Sequence, residues 1–218
     1  MEEASGTRAD SEPTGSAQNL TDNNTVTQTT GKLGNCAQFT AANTEWLSHV
    51  DSADLSTGDI DFTVTAWFQL AATAASQVIA AQWATTSNIR CWRLWYDSGN
   101  GKMAFSISPD GTSTETKQLA TTLGLPSINT WYFIVASHDS VNNTISISAN
   151  AGTVNSTSHT TGTIDSTADF TIGGRGSSGA DPLGGLVDEV GFWKKVLTAA
   201  EITKLYNGGT GLRPSAVP

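Results

Sequence analysis

The carboxylates that sit closest together in a promising context are Asp188 and Glu189. Neighbours on a strand point to opposite faces, and hydrolysis of a glycosidic bond needs two carboxyl groups flanking one bond, so this pair cannot serve a single site. The three histidines, His49, His138 and His159, are far apart without ligand spacing and read as surface or turn residues. Cys36 and Cys91 show no metal-type spacing. They read as two small half-buried thiols, with a disulfide as the alternative if their Cα atoms lie within about 7 Å. No Gly-x-Ser-x-Gly elbow occurs, and Gly173-Gly174-Arg175-Gly176 lacks the Lys and the following helix of a phosphate loop. The remaining chemistry is aromatic. Trp95 and Arg93 share a strand face opposite Trp92, Leu94 and Tyr96, while Trp83 and Trp46 lie near strand ends. Sugars lay their C–H faces on Trp and pair their hydroxyls with Asn, Asp and Arg. Trp95, Arg93, Trp83 and Trp46 are therefore candidate ligand-binding residues. The competing reading places these rings in the core, where Trp is mostly found.

Such side chains need strands to hold them, and the chain is written for strands. Only 14% of its 218 residues are charged, and the balance is made up by Thr, Ser, Asn and Gly, which suit pleated surfaces and turns. In Asp61–Leu70 the residues Phe62, Val64, Ala66, Phe68 and Leu70 alternate with Thr63, Thr65, Trp67 and Gln69. Trp67 breaks this pattern, which calls for a second packing layer or a bulge. Further strands are expected at Ala4–Arg8, Cys36–Phe39, Trp46–Val50, Ser76–Trp83, Ile89–Asp97, Lys102–Ser108, Thr144–Ala149, Phe170–Ile172 and Leu186–Trp193. Trp131–Ser137 is nearly continuous in apolar residues, as in a strand covered on both faces. Phe62, Val64, Ala66, Phe68, Trp131, Phe133, Val135, Val190 and Phe192 form the expected core. Thr198 and Glu201 make a capping box for one helix to about Tyr206, closed by Gly208-Gly209. Residues 1–210 thus read as a single domain and 211–218 as a tail or linker.

The C-terminal stretch is the most specific. Leu186-Val187-Asp188-Glu189-Val190-Gly191-Phe192-Trp193 leads through Leu197-Thr198 to Glu201-Ile202 and Leu205-Tyr206-Asn207-Gly208-Gly209. It resembles the closing signature of laminin-G-like or pentraxin-like jelly rolls of the concanavalin A-like lectin/glucanase superfamily. Gly31-Lys32-Leu33-Gly34-Asn35 with Ala37 and Phe39, Leu55–Asp59 leading to Phe62 and Trp67, and Asn129-Thr130-Trp131-Tyr132 are similar to the family's earlier elements, so that the resemblance spans residues 30–210. It implies an all-β, antiparallel two-sheet jelly-roll sandwich with one short C-terminal helix. Related glucanases carry Glu-x-Asp-x-x-Glu or Glu-x-Asp-x-Glu, and neither occurs here. The resemblance also implies a structural calcium held by Asp188 with carbonyls near Glu2–Ala4 and in the Thr40–Asn43 loop, Asn43 included. The alternative is that Asp188 only accepts hydrogen bonds from backbone amides. Thr40-Ala41-Ala42-Asn43 departs from the Asp-Gly usual after the opening Phe.

The expected function is a non-catalytic, extracellular or surface-exposed binding or adhesion module for a glycan or a protein surface. The alternative is a structural or decoration component of a virion or other assembly, in which case the chain would pair with copies of itself or with virion subunits. No signal peptide is visible at the start, where Glu2 and Glu3 replace the usual basic residues. A net charge of -9 disfavours nucleic acid, and no apolar run nears the roughly 18 residues of a membrane span.

Overall fold

The alternation of Phe62–Leu70 becomes the strand around which one sheet is built. The computed structural model describes residues 2–11 and 15–217, so Met1 and Pro218, the two ends of the expected domain and tail, lie outside the described residues. Fourteen strands follow in chain order. They are β1 (Thr21–Asn23), β2 (Thr27–Thr30), β3 (Asn35–Phe39), β4 (Trp46–His49), β5 (Phe62–Leu70), β6 (Gln77–Ala84) and β7 (Ile89–Asp97). The rest are β8 (Lys102–Ile107), β9 (Thr116–Leu119), β10 (Tyr132–Asp139), β11 (Thr144–Ala149), β12 (Asn155–Ser158), β13 (Phe170–Ile172) and β14 (Gly185–Trp193). They form two seven-stranded antiparallel sheets, β12-β11-β10-β5-β14-β3-β2 and β1-β4-β13-β6-β7-β8-β9. This is the two-sheet sandwich that the resemblance implies.

The inward residues of β5 (Phe62, Val64, Ala66, Phe68 and Leu70) meet Ile79, Trp92, Leu94, Met103 and Phe105 of the facing sheet. Trp67 is 2% exposed and points the other way. A second layer covers it: helix α1 (Ala199–Tyr206) lies over this outer face, and Trp67 packs with Phe133, Leu205 and Val217. Its ring stacks on Tyr206, 5.8 Å between centroids. The same cover explains why the strand at Phe133–Val135 is apolar on both faces. The Thr63 hydroxyl fastens the link into the helix, donating to the Lys195 carbonyl at 2.7 Å and accepting from the Leu197 amide at 3.1 Å. Thr198 and Glu201 form the expected capping box, and the C-cap is Asn207, left-handed at φ 47° ahead of Gly208.

Four expectations need correction. Ala4–Arg8 is no strand: Gly6 turns at φ 75° and only Arg8 bridges, to Leu20. The segment after 210 is no free linker. Val217 is buried beside Trp67, its carbonyl accepts from Trp193 Nε1 at 3.3 Å, and Lys204 donates to the Ala216 carbonyl at 2.6 Å. Trp131, Val190 and Phe192 are half-buried rather than buried. The histidines are not all superficial either. His138 and His159 are buried and meet edge to face at 5.5 Å, with Nδ1 of His138 donating to the Ile60 carbonyl and Nε2 of His159 to the Gly162 carbonyl. Both cysteines are free and buried. Replacing the fully buried Phe68 by Ala should cost about 3–5 kcal/mol in chemical denaturation; a loss below about 1 kcal/mol would show that β5 faces the other way.

Candidate functional site

Trp46, Trp83, Arg93 and Trp95 do share one surface, the outer face of the β6–β7 sheet. Thr171 pairs with both Ser48 and Ala81, and Ala81 pairs with Arg93, which puts the four on a common side by period two. They are not open platforms. Arg93 lies over both indoles, 4.6 Å from the Trp83 ring and 3.8 Å from the Trp95 ring, and pairs with Glu115 at 2.8 Å. Trp83 and Trp95 are left 3% and 7% exposed. Lys117 lies 5.6 Å from the Trp95 ring centroid, and Trp95 Nε1 donates to Ser106 at 3.1 Å. Trp46 sits two strands away under Gly179, where a Cβ would come within 2.4 Å of its ring. Alternation identified the face correctly, but it could not foretell that a guanidinium would cover the rings.

At Asp188, where the resemblance implies a cation, the carboxylate is held by backbone amides. Asp188 is 1% exposed. One carboxylate oxygen accepts from the amides of Lys32 and Leu33 at 2.8 and 2.9 Å, the other from the Glu189 amide at 2.9 Å. These bonds aim one carboxylate oxygen at the β2–β3 turn and the other at the Glu189 amide. Asn43 instead donates to Glu45 at 2.8 Å. Among the described residues no group of three or more His, Cys, Asp or Glu could hold a metal ion. In this arrangement Asp188 caps the β2–β3 turn and Asn43 holds Glu45.

A large cavity lies elsewhere, along one side of the sandwich. β3 pairs with β14 over Gly185–Val187, and past that point no strand among the described residues pairs with this edge of β14. A cleft of about 750 Å³ opens there between the sheets, walled by Glu189–Lys195, by the N-terminal segment and by residues 213–217. Its floor is apolar, with Leu20, Leu55, Phe170, Ile172, Val190 and Phe192. β14 carries an extra residue where it borders the cleft. Its register on β5 shifts between Asp188 and Gly191, and Glu189 adopts φ 47°, left-handed backbone that a non-glycine residue rarely takes. The bulge sends the two acids in different directions, by a break in the strand rather than by its regular alternation. Asp188 turns to its amides and Glu189 to the cleft. Burial, and then the charge of Asp188, push the Glu189 carboxyl up to about 7, against a smaller downward pull from Arg213.

The cleft and its residues were missed, yet the sequence holds a signal. Val187, Val190 and Phe192 step by three and then two, and that change of period marks an inserted residue.

A model of the concanavalin A-like lectin/glucanases superfamily matches residues 42–203, well over half of the chain. No curated protein matches significantly. Among solved structures, domain 4 of AbnA, an extracellular arabinanase of Geobacillus stearothermophilus in complex with arabinotriose, superposes with a TM-score of 0.69 at 18% identity, covering 93% of this chain and 98% of that one. The binding domain of Paraclostridial Mosquitocidal Protein 1 gives 0.72 at 13% identity over 94% of this chain and 51% of that one. The sialidase CBM40 of Ruminococcus gnavus, bound to α2,3 sialyllactose, gives 0.56 at 15% identity over 70% and 85%.

Two measurements check the site chemistry. Asp188→Ala strands three amides and should cost about 3 kcal/mol, while the Tm of the unaltered protein should be the same in chelator and in millimolar calcium; a calcium-dependent rise lost in the variant would restore the metal. Glu189 has its folded-state pKa raised from 4.5 to about 7, so its contribution to stability is full below 4.5 and is lost as pH rises through 7. Glu189→Gln should therefore lose part of the fall in Tm between pH 5 and about pH 8; an unchanged profile would place the carboxyl in water. On the match over residues 42–203, this chain belongs to the concanavalin A-like lectin/glucanases superfamily.

Proposed function

We propose that this chain is a non-catalytic carbohydrate-binding module that works outside the cell or at a surface. The observation that carries this reading is the side cleft, about 750 Å³ with an apolar, partly aromatic floor and a polar rim. Small-ligand sites have this size and make-up, mostly apolar with a few placed polar groups. The superfamily includes lectins and glucanases, and the carboxylates favour the former. Asp188 is committed to three amides, Asp54 accepts from the Ser16 amide and Gln18, and Glu3 accepts from the Ala9 amide. Glu2 and Asp10 likewise accept from the Asn35 and Gln18 amides, so each of the other carboxyls lining the cleft is held by the chain's own backbone, which supports a role without the paired acid and base of glycoside hydrolysis. Domain 4 of the arabinanase and the sialidase CBM40, each determined with a sugar bound, are similar in fold, which agrees with the reading.

No described helix is long and apolar enough to cross a membrane, and the acidic surface, net -9, repels phosphate backbones. A glycan array followed by calorimetry at millimolar sugar should find at least one oligosaccharide that binds without being cleaved. Silence from a broad panel with folded protein, or release of reducing ends from a bound glycan, would overturn the proposal.

A further inference from the structure

The geometry points to the side cleft, rather than the aromatic outer face, as the place where this module holds its sugar, and to a neutral, hydroxyl-rich oligosaccharide anchored on the Glu189 carboxyl as what it holds. This rests on the carbohydrate-binding reading and adds a site and a ligand class to it.

The charged heads around the cleft are nearly all spoken for within the chain. Arg213 pairs with Glu2 at 3.0 Å, Lys194 donates to the Ala53 carbonyl at 2.6 Å, and Lys195 pairs with Glu201 at 2.8 Å. The two terminal nitrogens of Arg8 donate to the carbonyls of Gly6 and Val26 at 2.6 Å each, while its Nε and one oxygen of Glu3 are buried without a hydrogen-bond partner among the described residues. Glu189 differs. Among the described residues no donor gives its carboxyl a hydrogen bond, although it is only part-exposed and lines the cavity. The backbone beneath it is left-handed at φ 47° within the β14 bulge. Strain of this kind persists where surrounding structure imposes it, and it gathers at functional sites. A bulge also re-aims a side chain, and here it turns a carboxyl to the cavity instead of to either sheet face.

The environment of that carboxyl selects the ligand. Asp188 adds negative charge beside it, ahead of the smaller opposite effect of Arg213, which is itself paired with Glu2, so an anionic sugar meets repulsion at this carboxyl. A carboxyl short of donors is satisfied by sugar hydroxyls, and the apolar floor of Phe170, Val190 and Phe192 suits the C–H faces of the rings. The free edge of β14 past Val187 adds backbone groups that can bond further hydroxyls. The outer face offers less, because Arg93 already occupies the π-faces that a sugar would need.

The test uses the full chain. Isothermal titration against neutral arabino-, gluco- and galacto-oligosaccharides, with sialyllactose as the anionic arm, is run on the unaltered protein and on Glu189→Ala. The indole N–H resonances of Trp193, on the cleft wall, and of Trp95, on the outer face, report where a ligand sits, independently of any variant. The expected result is binding of a neutral sugar, weakened at least tenfold in Glu189→Ala, with the Trp193 signal shifting and the Trp95 signal still. Neutral-sugar binding that survives within twofold in the variant, or that moves Trp95 and not Trp193, would overturn the cleft assignment and leave the carbohydrate reading standing. Preference for sialyllactose would overturn the ligand class. Silence from every sugar would overturn the carbohydrate reading and this inference together.

Discussion

Three backbone amides converge on the carboxylate of Asp188, two from the β2–β3 turn and one from its own strand. A charge this deeply buried is tolerated only when it is hydrogen-bonded, and that requirement fixes the position of the turn against β14. The carboxyl oxygen also lies where a side chain on Gly31 would be, 2.6 Å from an added Cβ, so the turn closes onto it in a single way. Immediately beyond this anchor β14 takes in its extra residue and departs from the regular ladder. Sheet closure on one side and cleft opening on the other therefore meet at one peptide, and the two acids of the Asp188-Glu189 dipeptide divide the tasks between them.

The rest of the sandwich distributes cover unevenly. One sheet has the facing sheet on its inside and helix α1 with residues 211–217 on its outside. Among the described residues no such helix covers the other sheet, and its outer face is filled by Arg93 lying over Trp83 and Trp95. Indole faces carry negative potential and attract cations, so a face that looks like a sugar platform on paper is occupied by the chain's own side chain. Arg93 in turn has its charge met by Glu115.

What the sequence disclosed followed from local rules with strong periods. The even alternation of β5 and the capping box at Thr198–Glu201 each stand on a few adjacent residues, and both occur where expected. The side of Arg93 and Trp95 was likewise legible, since a strand face needs only the period. Their exposure was not, because cover depends on Glu115 and on neighbouring strands distant in the chain. The cleft was hidden for a similar reason. It depends on where β3 stops pairing with β14 and on where the N-terminal segment crosses, both long-range events, and its one local trace was the three-then-two spacing of Val187, Val190 and Phe192. His138 and His159, unremarkable in sequence, come together only because β10 and the segment after β12 meet at one end of the sheet.

Glu2 and Arg213 form an ion pair at 3.0 Å, and this has a topological meaning. The described chain is nearly a closed ring: it leaves a point on the surface, traces both sheets and returns to that point. A short bridge from residue 213 to residue 2 would interrupt no strand pairing, and the ring could be opened instead at the exposed Val141–Asn143 hairpin tip. Tethers attached at residues 2 and 213 would leave from the same place, like two cords tied to one corner. A pull between them would first part a surface ion pair, and the strands across the middle of the sandwich would bear little of the load.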